Sequence, residues 1–86
     1  MTAFHYKAIK IKEDKETVTY SLNADFFLDP NEFIEVILKK KDLTVMNYDE
    51  VINHPDFSFS KKPLYWLQAK STDDKIHFKE KIKHLA

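Results

Sequence analysis

The sequence predicts an α+β fold: a small antiparallel sheet of three to five strands with one or two helices packed on one face, in a single two-layer domain spanning residues 1–86. Three observations predict it. Near the N-terminus, two runs alternate apolar and polar residues on either side of a charged turn. A helix-capping signature then precedes an apolar face with helical spacing. The 86 residues suffice for one core, and two layers bury one face of each element.

The first run covers residues 3–12. Phe4, Tyr6 and Ala8 alternate on one face, then Ile9 and Ile11 take over on the other. A phase flip of this kind predicts a bulge, or a strand buried on both sides. Lys12-Glu13-Asp14-Lys15-Glu16 is a polar turn. In the second run Val18, Tyr20 and Leu22 point one way and Thr17, Thr19 and Ser21 the other, which predicts the second arm of an antiparallel hairpin.

Leu28-Asp29-Pro30-Asn31-Glu32-Phe33 has the spacing of an N-cap, a proline at the first helical position, a capping-box glutamate and a hydrophobic staple. Phe33, Ile34, Ile37 and Leu38 follow as one apolar face, and Lys39-Lys40-Lys41 complements the negative end of a helix dipole. A helix over about residues 30–40 is expected. Leu43–Met46 reads as a short strand. Asn47-Tyr48-Asp49-Glu50 repeats the capping spacing and predicts a short helix that stops before Pro55. Phe57-Ser58-Phe59 alternates like a strand, and Ser60–Pro63 reads as a turn. The apolar, aromatic run Leu64–Ala69 is short enough to favour a strand. Residues 73–85 favour a helix with Phe78, Ile82 and Leu85 on one face; a strand with Ile76, Phe78 and Ile82 on one side is the competitor. The expected order is ββα(β)αββα.

Composition excludes whole classes of chemistry. The chain has no glycine, where average usage gives about six. A P-loop, a dinucleotide fingerprint, a calcium loop and a KH-type clamp all need glycine, so none is present. There is no cysteine, hence no thiolate nucleophile, no cysteine-ligated zinc and no disulfide. All 14 positive charges are lysines. Without arginine the planar fork that reads phosphate and guanine edges is missing. No apolar run approaches a membrane span, and Met1–His5 lacks a basic region followed by an apolar one, so no membrane association and a cytoplasmic location are expected.

Net charge is zero but uneven: +1 over residues 1–22, −4 over 23–50 and +3 over 51–86. The acidic middle offers Asp25, Glu35, Asp42, Asp49 and Glu50 as a face for a basic partner protein, such as an enzyme or a toxin. Asp29 and Glu32 count for less, being committed to capping. The basic alternative combines Lys61, Lys62, Tyr65 and Trp66 with a stripe of Lys75, Lys79 and Lys83 at helical spacing, suited to sequence-independent contact with nucleic acid. Zero net charge and absent arginine weigh against that alternative.

No catalytic residues stand out. The adjacent acids Asp49-Glu50 and Asp73-Asp74 fall where helix starts attract negative charge. His5, His54, His77 and His84 lack metal-ligand spacing, and no cofactor is implied. The sequence therefore points to a small non-catalytic protein-binding or inhibitory module, of the kind that bacterial immunity proteins or phage-encoded blockers represent, working by stoichiometric contact.

Overall fold

A carboxylate, in place of the absent glycine, turns the chain at its first hairpin. The structure, a computed structural model, describes residues 5–25, 32–55 and 61–84. Strand β1 (Tyr6–Glu13) pairs antiparallel with β2 (Thr17–Ala24), from Tyr6↔Ala24 to Glu13↔Val18. Between them the Asp14 carboxylate accepts the backbone N–H groups of Glu16 (2.8 Å) and Thr17 (2.7 Å) and the Thr17 hydroxyl (3.0 Å). An Asx-type turn of this kind replaces the left-handed residues that tight hairpins otherwise use. The expected bulge occurs between Lys10 and Lys12, just beyond the phase flip. It leaves Ile9 and Ile11 on the solvent side.

The remaining elements are β3 (Ile34–Lys39), α1 (Tyr48–Ile52), α2 (Lys62–Lys70) and β4 (Lys81–His84). All pairings are antiparallel, in the spatial order β3-β2-β1-β4. The fold class is thus as expected: a four-stranded antiparallel sheet with two helices.

Three elements differ from the expectation. Residues 34–39 form an edge strand, not a helix. Ile34, Val36 and Leu38 are buried while Glu35 and Lys39 are exposed, a period of two. The β-branched side chains of Ile34, Val36 and Ile37 suit a strand, and the central strand β2 gains its second hydrogen-bonded neighbour. The capping residues Asp29 and Pro30 lie outside the described residues, as does the expected strand at Phe57–Phe59.

Residues 62–70 form a helix, not a strand. Pro63 sits in its first turn, where no N–H is needed, and Pro63, Leu64 and Leu67 share its buried side. Residues 73–84 form a loop and a strand, not a helix. The Asp74 carboxylate accepts the N–H groups of Ile76 and His77, both at 2.8 Å, and the Thr72 hydroxyl accepts that of Lys75 at 3.0 Å. These side chains divert the backbone from a helical ladder, and Lys75 stands in the left-handed region at φ 62°. The strand that follows buries Ile82 between exposed Lys81 and Lys83.

The short strand expected at residues 43–46 reduces to a single bridge, Val45 to Leu38. The helix at 48–52 forms where expected.

The core lies between the sheet and the helices. Val18, Tyr20 and Leu22 from β2, Val36 and Leu38 from β3, Val51 from α1, and Leu64 and Leu67 from α2 are all essentially fully buried. Each such aliphatic side chain contributes about 1.5–3 kcal/mol relative to exposure. The Tyr20 hydroxyl donates to the Lys79 carbonyl at 2.6 Å, which fastens the loop ahead of β4 to the centre of the sheet. No helix among the described residues is long and apolar enough to cross a membrane.

Candidate functional site

Three connections meet at one end of the sheet: the β1–β2 turn, the segment after β3, and the loop after α2. Backbone bonds bind the first two together, since the Lys40 N–H donates to the Glu16 carbonyl at 2.9 Å. Lys10 draws in the third, donating to the Phe78 carbonyl at 3.3 Å. The loops leave an open groove of about 600 Å³ between them.

The groove is lined by Lys15, Glu16, Thr17, Lys39, Lys40, Lys41, Met46, Lys75 and Ile76. Five of these residues are lysines and one is acidic. Lys40 is committed to structure: its Nζ lies 2.6 Å from Glu13 and 5.6 Å from the centroid of the Phe78 ring, a cation–π geometry. Glu13 also holds Lys10 at 2.5 Å. Lys10 first and Lys40 second keep the Glu13 carboxyl below its ordinary range. Among the described residues no carboxylate pairs with Lys15, Lys39, Lys41 or Lys75. The gathered lysines repel each other and raise the local potential for an anion, which Glu16 in the lining and Asp42 near Lys39 offset only in part.

The groove also has apolar contact points. Met46 is 53% exposed and Ile76 69%. Among the described residues no aromatic ring lines the groove.

Its walls are held at conformational cost. The positive-φ residues among the described ones are Leu43 (64°) and Lys75 (62°). Side chains other than glycine pay about 1–2 kcal/mol for that geometry. Lys75 lines the groove, and Leu43 closes the turn that presents Lys39–Lys41. Both turns are pinned by carboxylates. Asp42 accepts the Thr44 N–H at 3.0 Å. Asp74, besides its backbone bonds, meets His77 Nδ1 at 2.8 Å. The Asp74 carboxyl is depressed far below its usual range, first by the His77 N–H, then by the His77 ring and the Ile76 N–H.

The acids singled out in the sequence do not form one cluster. Asp25 follows β2 and pairs with His5 at 2.8 Å. Asp42 stands beyond the opposite end of the β2–β3 ladder, after Lys39. Glu35 on β3 shares one side of the fold with Asp49 and Glu50 at the exposed start of α1, because the Asn47 amide ties that start to β3.

The basic candidates also separate. Lys61 and Lys62 begin α2. Tyr65 is exposed, whereas Trp66 is half-buried against Tyr6 and His84, at 5.6 and 6.2 Å between centroids. The helical stripe of Lys75, Lys79 and Lys83 does not exist. Lys75 lines the groove, Lys79 lies 3.8 Å from Asp73, and Lys83 is on β4. The loss follows from the loop geometry at Thr72 and Asp74 described above.

Sequence reasoning used Lys39–Lys41 as a helix end and did not connect them with Lys15. The chain carries no local signal for that grouping, since the three connections meet only through sheet topology. Among the described residues no group of three or more histidines and acids could hold a metal ion. Comparison of the chain with protein-family models, curated proteins and solved structures found no match.

Proposed function

We propose that this protein is a non-catalytic binding module acting by stoichiometric surface contact, and that its lysine groove seats an acidic, apolar-bearing segment of a partner protein. The observation that carries this reading is the grouping of Lys15, Lys39, Lys41 and Lys75, free of ion pairs among the described residues, beside exposed Met46 and Ile76. Lysines act as point charges and suit carboxylates in varied geometry. Met46 and Ile76 supply apolar contact of an adaptable kind. Nucleic acid fits less well, because single strands are gripped by aromatic stacking and the described residues of the groove offer no ring for it. This reading keeps the protein-binding role expected from the sequence, but moves the contact from the acidic middle of the chain to the basic groove.

The test is anisotropy of a short fluorescent peptide of alternating glutamate and leucine, set against a short oligothymidylate. Peptide binding that weakens with salt is expected. The triple variant Lys39→Glu, Lys41→Glu, Lys75→Glu should lose about tenfold or more in affinity, equivalent to ~1.4 kcal/mol. Tighter binding of the oligothymidylate, or unchanged peptide affinity in the triple variant, would overturn the proposal. So would loss of binding only on charge reversal of Asp49 and Glu50.

A further inference from the structure

The β4 edge carries a second interaction surface whose features do not depend on the groove. The ladder register shows which backbone groups face outward. Lys10 N–H donates to the Glu80 carbonyl at 2.8 Å, and the same register pairs Ala8 with Ile82 and Tyr6 with His84. In an antiparallel ladder hydrogen-bonded pairs alternate with non-bonded ones. Lys81 and Lys83 therefore turn their N–H and C=O groups away from β1. Among the described residues nothing bonds to these groups from outside the sheet.

The side chains along this edge are patterned. Lys83 lies directly opposite Lys7 on β1, a like-charged cross-strand pair that opposes the sheet. No acid among the described residues pairs with Lys7, Lys81 or Lys83. On the other face, Ile82 is buried and His84 stacks on Tyr6 at 5.1 Å with Trp66 beside it. A strand added here would place alternate side chains against lysines and against this apolar, aromatic face. A second copy of β4 does not fit, since it would set lysines against lysines.

We infer that β4 pairs with an extended segment of a partner protein that alternates acidic and apolar residues, which becomes a fifth strand of the sheet. Backbone bonds to Lys81 and Lys83 supply affinity, and the alternation supplies selectivity. Lysines on an edge strand also discourage indiscriminate pairing, so an acidic strand is the one admitted.

The probe is a peptide of alternating glutamate and valine, added to the full chain and followed by amide NMR and hydrogen exchange. Slowed exchange at the Lys81 and Lys83 amides is expected. Affinity should fall about tenfold or more in a K81E/K83E variant, and likewise for a peptide N-methylated at alternate residues to block the ladder. The groove triple variant should leave these amide changes intact, which separates this inference from the groove proposal. Unchanged Lys81 and Lys83 amides, or equal binding of the N-methylated peptide, would overturn it. Concentration-dependent protection of the same amides without peptide would overturn it in favour of self-pairing.

Discussion

At the β3 edge the outward backbone groups of Glu35, Ile37 and Lys39 are largely taken up within the chain, whereas at the β4 edge no other described residue bonds those of Lys81 and Lys83. The β3 side is closed by the segment that follows it. Thr44 accepts the Lys39 N–H at 2.9 Å, and Met46 donates to the Ile37 carbonyl at 2.7 Å. The Asn47 side chain then stands in for a peptide unit: its Oδ1 accepts the Ile37 N–H at 3.1 Å, and its Nδ2 donates to the Glu35 carbonyl at 2.9 Å. Asn47 was expected to cap α1, but its side chain makes no capping bond; it caps a sheet edge. The contrast teaches where this fold resists association and where it admits it. An edge completed by its own chain offers few groups to a partner, while the short lysine-bearing edge is the one at which we propose an acidic strand is added.

The largest effect on this contrast should come from Asn47→Ala. It frees the Ile37 N–H and the Glu35 carbonyl together, at an expected cost of about 1–2 kcal/mol. Urea unfolding should show the loss, and hydrogen exchange should show the Ile37 amide accelerated while Lys81 and Lys83 are unchanged. An unaltered Ile37 amide would mean that the edge is closed without Asn47.

Next is Tyr20→Phe, which removes the bond from β2 to the Lys79 carbonyl and so loosens the approach to β4. The expected loss is about 0.5–1.5 kcal/mol. This residue also gives a pH signature. Burial pushes the Tyr20 hydroxyl up to about 12, against about 10 in an unfolded chain. The unfolded chain thus releases this proton first. The contribution is complete below pH of about 10 and is lost as pH rises towards about 12. Alkaline denaturation should show this component in the native chain and lack it in Tyr20→Phe.

The smallest effect is a gain. Lys75→Gly relieves a left-handed lysine and should stabilise the fold by up to about 1 kcal/mol, partly offset by the greater freedom of glycine in the unfolded chain. Thermal unfolding would measure it. The same change should weaken the acidic peptide at the groove and leave the β4 amide response untouched. Stability and groove binding would then move in opposite directions at one residue, as expected where strain is kept for a binding surface.

Parts of this fold were legible because one period dominated. Thr17–Leu22 alternates cleanly, and the charged turn before it could only join two strands. The stretch 33–38 satisfies both periods: Phe33, Ile34, Ile37 and Leu38 make a helical face, and Ile34, Val36 and Leu38 make a strand face. Local signals worth fractions of a kcal/mol per residue did not separate them. Pairing with β2 did, because it buries three side chains and satisfies a ladder at once. Leu64–Ala69 was ambiguous by length, and residues 73–84 by a capping signal. There Asp74 and Thr72 bond backbone groups in a loop instead of beginning a helix.

From the sequence alone it follows that catalysis by thiolate, phosphate-loop or cysteine–metal chemistry is closed to this chain. It also follows that turns without glycine must be built by side chains, as Asp14, Asp42 and Asp74 build them. Which short apolar runs became strands, which lysines share a groove and which sheet edge stays open were decided by tertiary structure. Those outcomes depend on contacts between residues far apart in the chain, whose burial and hydrogen-bonding energies exceed the local preferences that a sequence displays.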